Sequence, residues 1–167
     1  MSTSAKWVTL SATVLAVGLY AGNARSDDAK IIEDRQAFMK AQSKDLGAIK
    51  AFTEDKGDLA AAQAAGADLL TRIPKIPDMF PKGTGMDAYP DKSYAKPAIW
   101  TDNDKFLAAD KSALAATDAL NTALKGGDKA AITAAFGNMT RDFWGLTSQN
   151  PGACGGCHQS FTQKKPS

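Results

Sequence analysis

From Asp28 onward, Ile31, Ile32, Arg35, Phe38, Met39, Gln42, Leu46, Ile49 and Phe52 recur at steps of three and four residues. That spacing returns side chains to one face of a helix with 3.6 residues per turn, so it predicts a long amphipathic helix ending near the Asp55-Lys56-Gly57 break. The same period returns in three further stretches. Asp58 is placed to cap a second helix carrying Leu59, Ala62, Gly66, Leu69, Leu70 and Ile73, which Pro74 and Pro77 stop. Asp102 or Asn103 can cap a third, with Phe106, Leu107, Ala113, Leu114, Thr117, Leu120 and Leu124 on its apolar face and Gly126-Gly127 at its end. Asp128 then caps a fourth that opens with Ile132, Ala135, Phe136 and Met139. Alanine is abundant, β-branched residues are scarce beyond the N-terminus, and no stretch sustains an apolar/polar alternation, so the fold class is all-α.

The connections order these helices. Residues 74–97 hold five of the seven prolines together with Gly83 and Gly85, which predicts a long link without regular structure. A link that long must span a bundle or cover a bound group. The fourth helix is interrupted by Gly145 and by Ser148-Gln149-Asn150-Pro151, so a kink or loop is expected there. A last helical stretch follows around Cys154 to Phe161, with Pro151 near its first turn. Four helices joined short, long, short suggest an antiparallel four-helix bundle in one domain over residues 27–167.

Residues 1–26 read as an export signal. Lys6 supplies a positive start, the stretch from Trp7 to Tyr20 is uncharged, and Gly22 and Ala24 precede the charged Arg25-Ser26-Asp27-Asp28. Cleavage is expected after Ala24 or Ser26, leaving a periplasmic protein with no stable membrane insertion. An uncleaved anchor is the other reading, but the apolar run is short for a span and broken by Thr9, Ser11, Thr13 and Gly18. Twenty basic residues against eighteen acidic ones leave the chain near neutral at +2, without the basic stripe that a nucleic-acid partner would require.

Cys154-Gly155-Gly156-Cys157-His158 carries the chemistry. Two cysteines three apart followed at once by histidine form the c-type haem attachment pattern: the thiols add to the haem vinyl groups and the imidazole binds iron. On a helix Cys154 and His158 share a face, Cys157 lies one step aside, and the glycines leave room for the macrocycle. A thioredoxin-like pair should accompany a βαβ pattern, which is missing, and zinc needs four ligands where the chain has two Cys and one His. A structural disulfide is the remaining alternative.

His158 is the single histidine, so a second histidine ligand within the chain is excluded. The sixth iron site must be methionine, another group, water or empty. In an up-down-up-down bundle the early turns of the first helix lie beside the late turns of the fourth, which puts Met39 at the height of His158. Periodicity alone makes Met39 a core residue. Met139 could reach the iron if the break before Pro151 folds it back, and Met79 and Met86 sit on the long link.

With these elements in place, the chain resembles the class II cytochromes c, the cytochrome c′ family. Asp34-Arg35-Gln36-Ala37-Phe38-Met39-Lys40 looks like that family's first-helix motif, Lys96-Pro97-Ala98-Ile99-Trp100 like the start of its third helix, and Ala134-Ala135-Phe136-Gly137 like its fourth. The resemblance implies one covalent haem c on Cys154 and Cys157 with His158 as proximal ligand. It places Met39 where high-spin members carry an apolar distal residue and low-spin members the ligating methionine, so it implies Met39 as sixth ligand and a low-spin iron. Arg35 and Gln36 fall at positions near the haem propionates, and dimerisation is common in the family. Two departures stand out: residues 140–151 look like an insertion, and Thr162 replaces a residue that is often basic.

The expected function is therefore that of a periplasmic monohaem electron carrier between redox partner proteins, with Met39 and His158 as axial ligands and no enzymatic activity. The alternatives are a five-coordinate haem protein that binds nitric oxide or carbon monoxide, and a haem subunit docked to an oxidoreductase through the insertion, with Phe143 and Trp144 exposed.

Overall fold

The computed structural model describes the backbone of residues 18–141 and 152–163 and the side chains from residue 27 onward. Among the described residues six α-helices follow one another: α1 (Gly18–Thr53), α2 (Leu59–Arg72), the single turn α3 (Ala98–Thr101), α4 (Asn103–Gly126), α5 (Lys129–Thr140) and α6 (Ala153–Phe161). Helices α1, α2 and α4 and the α5/α6 pair form the four members of an antiparallel bundle.

Local chemistry sets most boundaries. The Asp58 carboxylate accepts the Ala61 N–H at 2.8 Å, and the Asp128 carboxylate accepts the Ala131 N–H at 2.7 Å, each satisfying a donor that the first turn leaves free. Gly127 closes α4 at φ 74°, a left-handed conformation that favours glycine, and its N–H donates to Ala123 O and Leu124 O. Asp102 stands at the N-cap of α4, but its backbone, at φ −115° and ψ 44°, is not the extended one that Asp58 and Asp128 adopt, and its side chain makes no capping bond.

Three further differences concern extent. Helix α1 starts at Gly18, before Asp28 and through Ala24 and Ser26, while residues 1–17 of the expected signal lie outside the described residues. No helix among the described residues is long and apolar enough to cross a membrane. The proline-rich link holds two short 3-10 turns, Ile73–Lys75 and Pro77–Met79, each with proline in its first positions, where the missing N–H costs nothing. The expected break in the fourth helix falls between α5 and α6. Gly145, the 148–151 segment and the aromatics Phe143 and Trp144 lie outside the described residues. On its two flanks the chain comes back together, with Gly152 N–H donating to Arg141 O at 2.8 Å. A Cβ on Gly152 would sit 2.6 Å from Asn138 O, so this close return needs glycine.

Two apolar clusters result. Leu46, Ile49, Leu69, Leu120, Leu124 and Ile132 fill the main core, with Gly66 letting α2 approach α4 closely enough for Asn121 Nδ2 to donate to Gly66 O at 2.8 Å. At the other end Phe106 stands edge-on to both Phe80 and Phe161, with ring centroids 5.3 Å apart in each pair. The link and the C-terminal helix meet there: Lys96 N–H donates to Phe161 O and Gln163 N–H to Tyr94 O. The link thus lies over the bundle between α1 and α6 and roofs the space they leave.

Candidate functional site

Helix α6 presents the attachment motif to a cavity of about 440 Å³, in the size range of cofactor pockets. Cys154, Cys157 and His158 form one wall. Arg35, Gln36, Met39, Lys40 and Gln42 of α1 contribute another, Phe106, Asp110 and Ala113 of α4 a third, and Ile76, Phe80, Tyr94 and Ala95 of the link the roof. The three motif residues and Met39, far apart in sequence, are brought to one space.

Both cysteines are free. The disulfide alternative is therefore not formed. Burial pushes the Cys154 thiol up to about 12, with Cys157 adding to it, and the Cys157 thiol up to about 11, with Asp110 adding to it. Neutral thiols of this kind lack the thiolate on which a redox-exchange pair depends. Burial also lowers the His158 pKa from 6.5, which favours the neutral imidazole whose lone pair can bind a metal.

The methionines separate cleanly. Met39 is half-buried on the cavity wall. Met139 is fully buried in the main core, with Thr117 Oγ1 3.9 Å from its sulfur, and takes no part in the wall. Met79 and Met86 are not wall residues either. Met39 is thus the one methionine of the lining.

Arg35 serves a purpose that helical spacing did not disclose. It is buried, and its guanidinium donates to Met79 O at 3.2 Å, Thr84 Oγ1 at 2.9 Å, Thr84 O at 2.9 Å and Ser93 Oγ at 3.0 Å, while lying 4.6 Å above the Phe80 ring. Burial lowers its pKa to about 10. Gln36 Nε2 donates to Lys92 O at 2.6 Å. These two residues, read from the resemblance as propionate neighbours, line the cavity and at the same time tie the link to α1.

Two buried polar atoms on residues that line the cavity were missed by motif reading. Gln42 Nε2 and Asp110 Oδ1 are buried and without a hydrogen-bond partner among the described residues. The signal for the first lay in plain view, as an amide within the apolar stripe between Met39 and Leu46. Two unpaired thiols and an imidazole that burial favours as neutral open on one space of cofactor size. The residues present fit a covalent haem: thiols for thioethers, an imidazole for iron, and the apolar Ile76, Phe80, Ile99 and Phe106 beside the polar side chains of the lining.

Comparison with known proteins agrees. The family model described as Cytochrome C' matches residues 30–162. The chain is 35% identical over 138 residues to cytochrome c' of Rubrivivax gelatinosus, covering 80% of this chain and 94% of the relative. It is 30% identical over 136 residues to cytochrome c-556 of Agrobacterium tumefaciens (strain II Chrys), covering 80% of this chain and 98% of that one. Among solved structures, the nitric oxide complex of a variant cytochrome c prime from Alcaligenes xylosoxidans shares the fold, with a TM-score of 0.65 at 22% identity, over 83% of this chain and 97% of that chain. With the family model spanning both α1 and the attachment helix, this chain belongs to the cytochrome c′ family.

Proposed function

We propose that Cys154 and Cys157 hold the haem as thioethers, that His158 is the proximal iron ligand, and that the opposite face, lined by Met39, receives a diatomic gas such as nitric oxide or carbon monoxide. Proteins of this family carry one covalently attached haem c. When bound, that group supplies an iron that changes charge by one electron and can hold a small axial ligand. The chain's own residues do the rest. Helix α6 orients the imidazole, the link excludes water from above, and Phe80, Phe106 and Phe161 keep the surroundings apolar.

The observation that carries this reading is the cavity itself. It sets the attachment residues on one wall and Met39 on another, a space of the size that a bound cofactor occupies. A relative of the same fold forms a nitric oxide complex, which supports the same reading.

A second reading is favoured by Met39 being the one methionine of the wall. A thioether on the iron would make it low-spin, raise its potential and leave one-electron transfer as the function. Visible spectra of the oxidised and dithionite-reduced protein, with carbon monoxide and with Met39→Ala alongside, separate the two. A high-spin spectrum that takes up carbon monoxide and is indifferent to Met39→Ala supports gas binding. Sharp low-spin bands with a sulfur-to-iron charge-transfer band, both lost in Met39→Ala, would overturn it in favour of the electron carrier.

Under either reading the protein is not an enzyme and works in the periplasm as one domain over residues 27–167, after removal of residues 1–26. Redox partner proteins and a homodimer are part of the same proposal. A mature chain whose mass begins outside residues 25–27 would contradict the cleavage site.

A further inference from the structure

We propose that Arg35 raises the reduction potential of the haem that Cys154 and Cys157 hold, its buried positive charge opposing the ferric state. This rests on the covalent attachment and is the same whichever reading of Met39 holds.

Arg35 lines the cavity with 5% of its surface exposed, on the helix whose inner face also carries Ile32, Leu46 and Ile49. An apolar side chain there would continue that face without the cost of burying a charge. Neutral groups satisfy its hydrogen bonds and leave its charge standing. The N–H groups of Nη1 go to Met79 O and Thr84 Oγ1 and those of Nη2 to Thr84 O and Ser93 Oγ, which fills the outer fork and leaves only the Nε–H. No carboxylate among the described residues offsets the cation: burial alone acts on its pKa, lowering it to about 10, so the guanidinium stays protonated at pH 7.

A charge acts through space and needs no contact with the group it influences. The guanidinium lies 4.6 Å from the ring of Phe80, another wall residue, and such hydrocarbon screens a charge far less than water does. Two other charged side chains line the cavity: Lys40 is exposed, where water and salt screen it, and Asp110, half-buried on α4, has the opposite sign. Ferric iron carries one positive charge more than ferrous iron, so a fixed buried cation favours the reduced state. For unit charges about 12 Å apart at an effective dielectric of about 20, Coulomb's law amounts to about a tenfold change in an equilibrium constant.

The test is a spectroelectrochemical titration of the holoprotein at pH 7, with small redox mediators as electron source and sink, on the parent, Arg35→Met, Ser93→Asp and Arg35→Lys. At a fixed applied potential Arg35→Met is expected to move the ferric-to-ferrous ratio about tenfold toward ferric, a midpoint lower by about 59 mV for a one-electron couple. Ser93→Asp keeps Arg35 and puts a carboxylate where the guanidinium now meets a hydroxyl at 3.0 Å. It should lower the midpoint too, and it carries the test if Arg35→Met does not fold. Arg35→Lys also disturbs the link but keeps the charge, so its midpoint should stay near that of the parent. An unmoved midpoint in Arg35→Met or in Ser93→Asp would overturn the role of Arg35. So would an equal fall in Arg35→Lys, which would trace the effect to water admitted beneath a loosened link. A parent whose haem is extracted by acidified acetone would sink the attachment reading and this inference with it.

Discussion

Arg35 shows how one side chain can carry an entire connection. Four hydrogen bonds from its guanidinium end on carbonyls and hydroxyls of Met79, Thr84 and Ser93, so the link is held to α1 by a buried cation without a carboxylate partner. Arg35→Met keeps the length but removes the donor to Met79 O beneath the link and leaves Thr84 O with the Ser93 hydroxyl alone. It should lower the unfolding free energy by about 2–4 kcal/mol in urea titrations, a charged donor being worth more than a neutral one.

Asp45 gives a pH dependence with a definite sign. Burial raises its pKa above 3.8 despite the ion pair with Arg72, whose Nε lies 3.1 Å away. The folded protein therefore binds this proton more tightly than the unfolded chain does, and the contribution of Asp45 to stability falls as pH rises from 3.8 through the raised value. Asp45→Asn removes that dependence. Relative to the parent, the variant should gain stability across this window and level off above it, as read from urea midpoints between about pH 3.5 and about pH 7. A difference that stays flat would refute the assignment.

At the scale of elements, helix starts were legible wherever a cap is a purely local event. Asp58 and Asp128 each bond a backbone N–H three residues on, and Asp128→Ala should cost about 1 kcal/mol in thermal or urea unfolding. Asp102 stands at the start of α4 as expected but without a side-chain cap, since the one-turn helix α3 just before it leaves its backbone short of the extended conformation. Gly66 is an element-scale contact of the other kind. A Cβ there would meet Leu124 Cδ1 at 2.5 Å and Asn121 Oδ1 at 2.9 Å. Gly66→Ala gains helix propensity of about 1 kcal/mol, but forcing α2 from α4 and straining the Asn121 bond should leave a net loss of about 1–2 kcal/mol. A stabilised variant would show that this contact yields more easily than its distances imply.

Over the whole molecule, the cavity beside the attachment motif is a large departure from dense packing, built where α1, α4, α6 and the link meet. A chain with both Cys154→Ala and Cys157→Ala should therefore keep most of its helical circular dichroism yet melt at least about 10 °C lower than the haem-bearing protein, since a bound group stabilises only the folded state. The four bundle members, the Asp58 and Asp128 caps and the attachment motif could be read from the sequence by itself, because helical period, capping and the Cys-Gly-Gly-Cys-His spacing each depend on residues within a few positions of one another. What only the tertiary structure decided is which distant side chains share a space. It put Met39 on the cavity wall and Met139 in the core, turned Arg35 toward the link, and buried polar atoms of Gln42 and Asp110 without partners among the described residues. Those outcomes depend on how each helix is rotated about its own axis against its neighbours, a relation set by packing across the bundle and carried by no single stretch of chain.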